Sequence, residues 1–520
     1  MAQVVRQEAM TTRKPSRVAV GQQLVEVITS GMYSDPLMVL REYVQNAVDA
    51  IDAAAESGLL SRAEGRIEID LDGRTRTIAI LDNGVGVGES AVTEVLCSLG
   101  HSTKSADRHR GFRGIGRLGG LGYCDELVFE TRQAGRKRVT TVTWDCRRLR
   151  AVLRRDGDGR SASKAVRQVV TVATRRGRPG EPQHFFRVTM RDVHQFHRDE
   201  LISIPVVRSY LAQVAPVAFD ASRFPLAGKI ESHLSGLDGY DTYDLRLNGK
   251  RVFRPHAETF AVSGTRSDRI GDVELFVVPG PHGDAIGRGW YACTGFRASI
   301  PPSVGMRGVR VRQGNIEVGD EYSLANSFSE RRFAVWHIGE IHVSYALRAN
   351  ARRDRFEQSP ACEAFLEHAN RLGRHLSNLC RMSSKERSAR AAEERHLRRV
   401  EELLSGSVLV DGDHFAMVRE LAATTIEELH AAGASRDGHA PSFYRRLARA
   451  RKDFRGFASA PPYLRAQLDG RSLRHLSKKD LLETVARRIL ALHAPDKSAE
   501  QLVSEVMSEY FRPASRQKRR

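Results

Sequence analysis

The stretch from Asp35 to Gly58, DPLMVLREYVQNAVDAIDAAAESG, constrains this chain most, because both its ends and both its faces are marked. Asp35 can cap a helix, and Pro36 suits the first helical position, where a missing N–H costs nothing. Gly58 stands where a left-handed residue ends a helix. Leu37, Leu40, Val44, Ala47, Val48 and Ile51 recur at helical spacing and predict a buried face. Glu42, Asn46 and Asp49 fall at i, i+4 and i+7 and form a second, polar stripe. In such a stripe an amide oxygen can ligate a hard cation while a carboxylate one turn away orients or deprotonates a water. A solvated helix face has the same composition, so the stripe gains meaning only from its neighbours in the chain.

Those neighbours alternate. RIEIDL (66–71) and RTIAILDN (76–83) read as two strands joined at Gly73. DNGVGVG (82–88) is a glycine-rich turn, and 89–99 a short helix. Residues 100–122, GHSTKSADRHRGFRGIGRLGGLG, read as a mobile basic loop leading into a helix. ELVFET (126–131), KRVTTVTWD (137–145), AVRQVVTVAT (165–174) and HFFRVTMRDV (184–193) read as strands, and 199–215 as a helix. The expected fold class is α+β, a mostly antiparallel sheet with helices on one face. A second α/β domain is expected over 216–357, with strands at 243–249, 273–280, 288–295, 307–320 and 333–344. From Ser359 the pattern turns helical, and Ser477 with Asp480 and Ser498 with Gln501 have capping-box spacing. The domains expected are a flexible arm (1–17), a first domain (18–215), a second (216–357), a helical C-terminal region (358–510) that serves as the candidate dimerisation element, and a basic tail (511–520).

Composition adds bounds. No run of about 18 apolar residues is present, so no membrane span is expected. The first 17 residues have no apolar core and do not read as a secretory signal. The six cysteines form no CxxC pair, which speaks against a zinc site and suits a reducing cytoplasm. Lysine and arginine number 82 against 63 acidic residues, a net charge of +19. Two explanations stand side by side: contact with nucleic acid or another polyanion, or an arginine-rich proteome from a high-GC genome, since arginines occur in every segment.

Three short elements follow the opening helix in order: DNGVG at 82–86, Ser-Thr-Lys at 102–104 and GFRGIG at 111–116. Asp82, ending a strand, is an acceptor for the exocyclic amino group of adenine. Gly84 and Gly86 let the chain turn beneath a base without a Cβ clash. Gly111, Gly114 and Gly116 expose backbone N–H groups ahead of a helix, an anion site for phosphates. Lys104 and Arg113 add positive charge there. A magnesium ion held by Asn46 would bridge phosphate oxygens, and Glu42 would orient the attacking water.

This ordered set resembles the GHKL superfamily of ATPases, which includes gyrase B, heat-shock protein 90-type chaperones, histidine kinases and MutL/MORC proteins. The resemblance covers about residues 20–215 and implies the Bergerat nucleotide fold. REYVQNAVDA (41–50) looks like the N box, with Glu42 as general base and Asn46 as magnesium ligand. DNGVG matches the adenine box, GFRGIG the phosphate-lid box, and Thr131 the threonine that supports the adenine site through water. MYSDPLMVLREYVQNAVDA and the Ser-Thr-Lys resemble the heat-shock protein 90-type chaperones most. The second domain then stands in the place of the S5-like transducer domain, which supplies a basic residue to the γ-phosphate. Its two candidate loops are GVRVRQGNIEVGD (308–320) and ALRANARRDRFE (346–357), the second offering Arg352, Arg353 or Arg355.

The resemblance implies an ATP- and magnesium-dependent conformational clamp, working as a homodimer with no membrane partner. Two roles fit it: a chaperone-like remodeller of protein clients, or a MutL/MORC-like ATPase acting on nucleic acid. A third reading is a non-hydrolysing nucleotide-binding scaffold. The short, basic C-terminal region departs from the client-binding modules of the chaperones.

Overall fold

A computed structural model describes residues 11–15, 35–97, 116–155, 162–195, 198–263, 266–350, 353–406, 412–435 and 441–458. The chain divides into two compact units, Met1–Cys380 and Arg381–Arg520.

The first unit is built on a nine-stranded sheet of β1 (Thr11–Arg13), β2 (Arg66–Asp72), β3 (Thr77–Asp82), β4 (Cys124–Arg132), β5 (Arg138–Asp145), β6 (Val170–Arg176), β7 (Phe185–Val193), β8 (Asp244–Leu247) and β9 (Lys250–Arg251). Its order is β1-β6-β5-β4-β7-β3-β2-β8-β9, antiparallel except where β8 joins β2. Helices α1 (Met38–Glu56), α2 (Val92–Cys97), α3 (Cys146–Arg155), α4 (Ala162–Val169) and α5 (Ile204–Val214) accompany it. One core takes alternate strand residues such as Ile67, Ile69, Ile78 and Ile80 together with Leu40, Val44, Val48 and Ile51 of α1.

Asp35 and Gly58 bracket α1, but its first helical residue is Met38 and not Pro36, which lies in the turn before it. The Leu37 N–H donates to Asp35 Oδ1 at 2.9 Å. Gly58 has φ +73°, and the Leu59 N–H reaches back to Ala54 O at 2.9 Å, closing the helix.

Four further expectations need correction. Thr11–Arg13, read as part of a flexible arm, form edge strand β1 on β6. The segment 165–174, read as one strand, is helical up to Val169, because Val166 and Val169 lie three apart and bury one helix face. The segment 333–344 opens with a 3-10 turn, Arg331–Trp336, before its strand. The boundary at 216 also fails as a structural division, because β8 extends the first sheet. Leu245 and Leu247 need a buried face, and the Asn248 side chain clasps the backbone of Leu71 with bonds of 2.8 and 3.0 Å.

The rest of the first unit holds α6 (Ala227–Leu234), the hairpin β10 (Thr259–Ser263) and β11 (Arg266–Arg269), and a five-stranded sheet. That sheet contains β12 (Asp272–Pro279), β13 (Ala285–Cys293), β14 (Gly308–Gln313), β15 (Ile316–Val318) and β16 (Ile338–Val343), in the order β12-β13-β16-β14-β15. Helix α7 (Pro360–Gly406) lays Phe365, Ala369 and Leu376 on the face formed by Val309, Val311, Ile341 and Val343. The opposite face of β14 and β16 is polar although buried: Arg310, Arg312, Glu340 and His342.

In the second unit, α7 runs on from Arg381 and packs with α8 (Gly412–Ser435) and α9 (Pro441–Ala458) around Leu397, Val400, Ile426, Leu429, Phe443 and Leu447. The capping-box helices expected near 477 and 498 lie outside the described residues.

Candidate functional site

The polar stripe of α1 meets a glycine element at each end. At its C-terminal end, a carbon added to Gly84 would lie 2.6 Å from the backbone of Ala50, and the Val85 N–H donates to Ala50 O at 3.2 Å. At its N-terminal end, a carbon added to Gly116 would lie 2.3 Å from Glu42 Oε2. Eight residues separate Glu42 from Ala50, about 12 Å of helix.

The DNGVG turn is pinned along its length. Asp82 is buried, and its Oδ1 accepts the Gly84 N–H at 2.9 Å. The Asn83 side chain accepts the Arg66 N–H and donates to Glu64 O, both at 2.8 Å. His184 Nδ1 lies 2.9 Å from Gly84 O. Gly86, at φ +68°, has no room for a side chain, since Arg132 O lies 2.1 Å from where its Cβ would stand. The Thr131 hydroxyl accepts the Val87 N–H at 2.7 Å and donates to Phe185 O at 3.1 Å. Both its bonds therefore go to backbone, one of them to the turn itself. Asn83 and His184 are members that sequence reasoning missed. The run Asp-Asn-Gly carries a signal for Asn83, whereas nothing in the sequence points to His184.

Glu42 and Asn46 are half-buried and Asp49 is buried. Desolvation raises the Glu42 carboxyl above its ordinary value, against the pull of the Arg41 and Arg353 cations, while Asp49 adds to the rise. Arg353 is buried, and desolvation lowers its guanidinium to about 10 although Glu42 holds it charged. Arg353 also sits in the left-handed region at φ +52°. Arg41 is buried beside them, a second cation that sequence reasoning missed. The Tyr210 hydroxyl on α5 is buried with no hydrogen-bond partner among the described residues, and burial pushes its ionisation to higher pH.

The arginines of the two expected sensor loops part company. Arg310 donates to Glu317 at 2.6 Å, and Arg312 to Glu340 at 2.8 Å. Both are structural cations in the 308–320 segment. In the 346–357 segment Arg353 is buried and its charge acts on Glu42, Arg355 is 81% exposed, and Arg352 lies outside the described residues. So do Lys104, Gly111, Arg113 and Gly114.

Residues 33–153 match the family model for histidine kinase-, DNA gyrase B- and HSP90-like ATPases. The chaperone protein HtpG of Halorhodospira halophila is 30% identical over 142 residues, covering 24% of this chain and 22% of that protein. HtpG of Methylibium petroleiphilum is 31% identical over 144 residues, 24% of this chain and 23% of that protein. HtpG of Cupriavidus taiwanensis is 29% identical over 206 residues, 36% of this chain and 31% of that protein. The chain thus spans between a fifth and a third of the length of these relatives. No helix among the described residues is long and apolar enough to cross a membrane. The N-terminal region of this chain is a GHKL ATPase domain, homologous to that of the HtpG chaperones over part of the chain.

Proposed function

We propose that this chain binds and hydrolyses ATP and uses the cycle to switch conformation. One observation carries the reading: a single stripe of α1 has the Asp82 turn at one end, and at the other Glu42, closed in by Gly116 and Arg353. About 12 Å of helix between the two suits a nucleotide with its base at the turn and its terminal phosphate near Glu42. In this reading Asp82 accepts the adenine amino group, and Gly84 and Gly86 seat the base. Gly111, Gly114 and Gly116, with Lys104 and Arg113, take the phosphates. Thr131 holds the turn in register. Glu42, its carboxyl raised by desolvation, is the base for the attacking water. Arg353 is the cation at the terminal phosphate, chosen over Arg355 for its burial and its nearness to Glu42.

The described residues contain no group of three or more His, Cys, Asp and Glu able to hold a metal ion. The donors present still fit magnesium, which commonly takes one or two protein oxygens and completes its shell with phosphates and water. The Asn46 amide is that oxygen, and the ion would neutralise phosphate charge.

The region holding the second sheet acts as the transducer, and the C-terminal helices dimerise. The relatives are named as chaperones, which supports remodelling of protein clients. The alternative, action on nucleic acid, gains support from the second unit, described below. Calorimetric ATP titration and a phosphate-release assay test the reading. Wild type is expected to bind and hydrolyse. Glu42→Ala is expected to bind without hydrolysing, and Asp82→Asn to lose binding. Unchanged hydrolysis in Glu42→Ala overturns the assignment of the base, and binding without turnover in wild type leaves the scaffold reading.

A further inference from the structure

Helix α9 separates its faces sharply. Phe443, Leu447, Ala450 and Phe454 fall at i, i+4, i+7 and i+11 and pack inward on Leu397, Val400, Ile426 and Leu429. Arg445, Arg449 and Lys452, at i, i+4 and i+7, form an exposed stripe, with Arg451 and Arg455 exposed one turn apart beside it. The sole acid of α9 is Asp453, 3.7 Å from Arg449, whose side chain nonetheless stays 82% exposed.

The remaining cation, Arg446, behaves differently. It turns toward α7 and grips Glu401 at 2.6 and 3.0 Å and also Glu394. On α7 itself, charges are neutralised locally by Glu386 with Arg390 and Glu394 with Arg398. A cation with a structural task in this bundle is therefore visibly paired. Arg445, Arg451 and Lys452 make no ion pair with a described residue.

We propose that the exposed face of α9 is a binding surface for the phosphate backbone of nucleic acid. The three charges stand about 5 Å apart along the helix. A duplex strand presents one phosphate per ~3.4 Å of its axis, so each long cationic side chain has a phosphate within its reach. Five of the six cations of α9 are arginines, whose planar fork suits phosphate oxygens. An anionic membrane fits less well, because interfacial helices insert an apolar face and that of α9 is already buried in the bundle. The proposal deepens the nucleic-acid alternative given above, and it rests on α9 alone, independently of the ATP site.

The test uses the full chain and the fluorescence anisotropy of a labelled 20-base-pair DNA duplex over a salt series, with ATP hydrolysis measured in parallel. Wild type is expected to bind with an affinity that falls steeply with salt. The triple variant Arg445→Ala, Arg449→Ala, Lys452→Ala should lower the slope of log K against log salt by about 3. Its hydrolysis and far-ultraviolet dichroism should be unchanged. A control triple, Arg74→Ala, Arg147→Ala, Arg148→Ala, removes three exposed cations of the first unit and should leave the slope where it was. The charge-preserving pair Arg445→Lys, Arg449→Lys should keep the wild-type slope and guards against a folding defect. Equal losses in both alanine triples would mean charge spread over the whole molecule and overturn the proposal. So would failure of wild type to bind the duplex, or stronger binding to phosphatidylserine vesicles than to DNA. Loss of hydrolysis alone would bear on the ATP site and not on α9.

Discussion

Glu42 and Gly116 are in such close contact that the first carbon of any side chain at 116 would lie 2.3 Å from the Glu42 carboxylate. The carboxylate is the far end of a flexible side chain, so it can give way, and what it loses is its aim. Gly116→Ala is therefore expected to lower kcat by about 10-fold or more while changing stability by less than ~1 kcal/mol, because a general base contributes only when correctly placed. Steady-state kinetics beside urea denaturation check this; an unchanged kcat would show that Glu42 is not the base.

The pH profile should carry the mark of Glu42. Its carboxyl is raised by desolvation, so the acidic limb of kcat/KM is expected above the ordinary glutamate value of 4.5. The positive charge of Arg353 works against that rise. Arg353→Gln should move the limb further toward neutral pH, on top of any loss in rate. A limb that stays in place, or moves to lower pH, would exclude Arg353 as the neighbour that matters.

Thr131 joins the glycine turn to β7 through one hydroxyl. Thr131→Val leaves the Val87 N–H and the Phe185 carbonyl without that partner. Each unsatisfied buried group costs about 1–3 kcal/mol. A stability loss of about 2 kcal/mol or more is expected in chemical denaturation, with weaker ATP binding in calorimetry. Loss of binding without loss of stability would place Thr131 on the nucleotide and not on the turn.

Glu340 is fully buried and takes Arg254, Arg312 at 2.8 Å and His342 at 3.1 Å. Burial opposes its charge, but the two guanidinium groups outweigh it and hold the carboxyl well below 4.5. Glu340→Gln is expected to cost about 3–5 kcal/mol, since it leaves buried cations uncompensated. A depressed folded-state pKa contributes stability above the unfolded value, and that stability is lost as pH falls through the folded value. The gap between wild type and variant should therefore hold from neutrality down to about pH 4.5 and shrink only in stronger acid. Denaturation curves at several pH values decide it.

Tyr210 gives the opposite sign. Its buried hydroxyl has no partner among the described residues. Tyr210→Phe removes an uncompensated polar atom and is expected to leave stability unchanged or higher. A clear loss in thermal denaturation would reveal a partner for that hydroxyl.

How much of this was legible beforehand depended on whether a feature is local. Asp35 and Gly58 announced the ends of α1 because capping concerns only the residues beside the cap. Asp82, Gly84 and Gly86 were readable because a tight turn needs those residue types wherever it occurs. The exchange of Val166 and Val169 from strand to helix went unread, because a short valine-rich run satisfies either period and the packing chooses.

The arginines are the plainest contrast. By sequence alone, Arg310, Arg312, Arg353 and Arg355 are four members of two basic loops. In the fold, the first two are committed to Glu317 and Glu340, the third is buried where its charge acts on Glu42, and the fourth lies in solvent. A guanidinium declares its charge in the sequence, but its partner is chosen by contacts between residues tens or hundreds of positions apart. The same holds for β8, which crosses the boundary expected at 216 to pair with β2. The opening helix, its polar stripe and the glycine turns were legible in the residues alone, because helix periodicity, caps and turns follow from nearest neighbours. That Arg353, far along the chain, joins Arg41 in acting on the charge of Glu42, and that β8 extends the first sheet, came from the tertiary fold, because both depend on long-range pairing that no local pattern encodes.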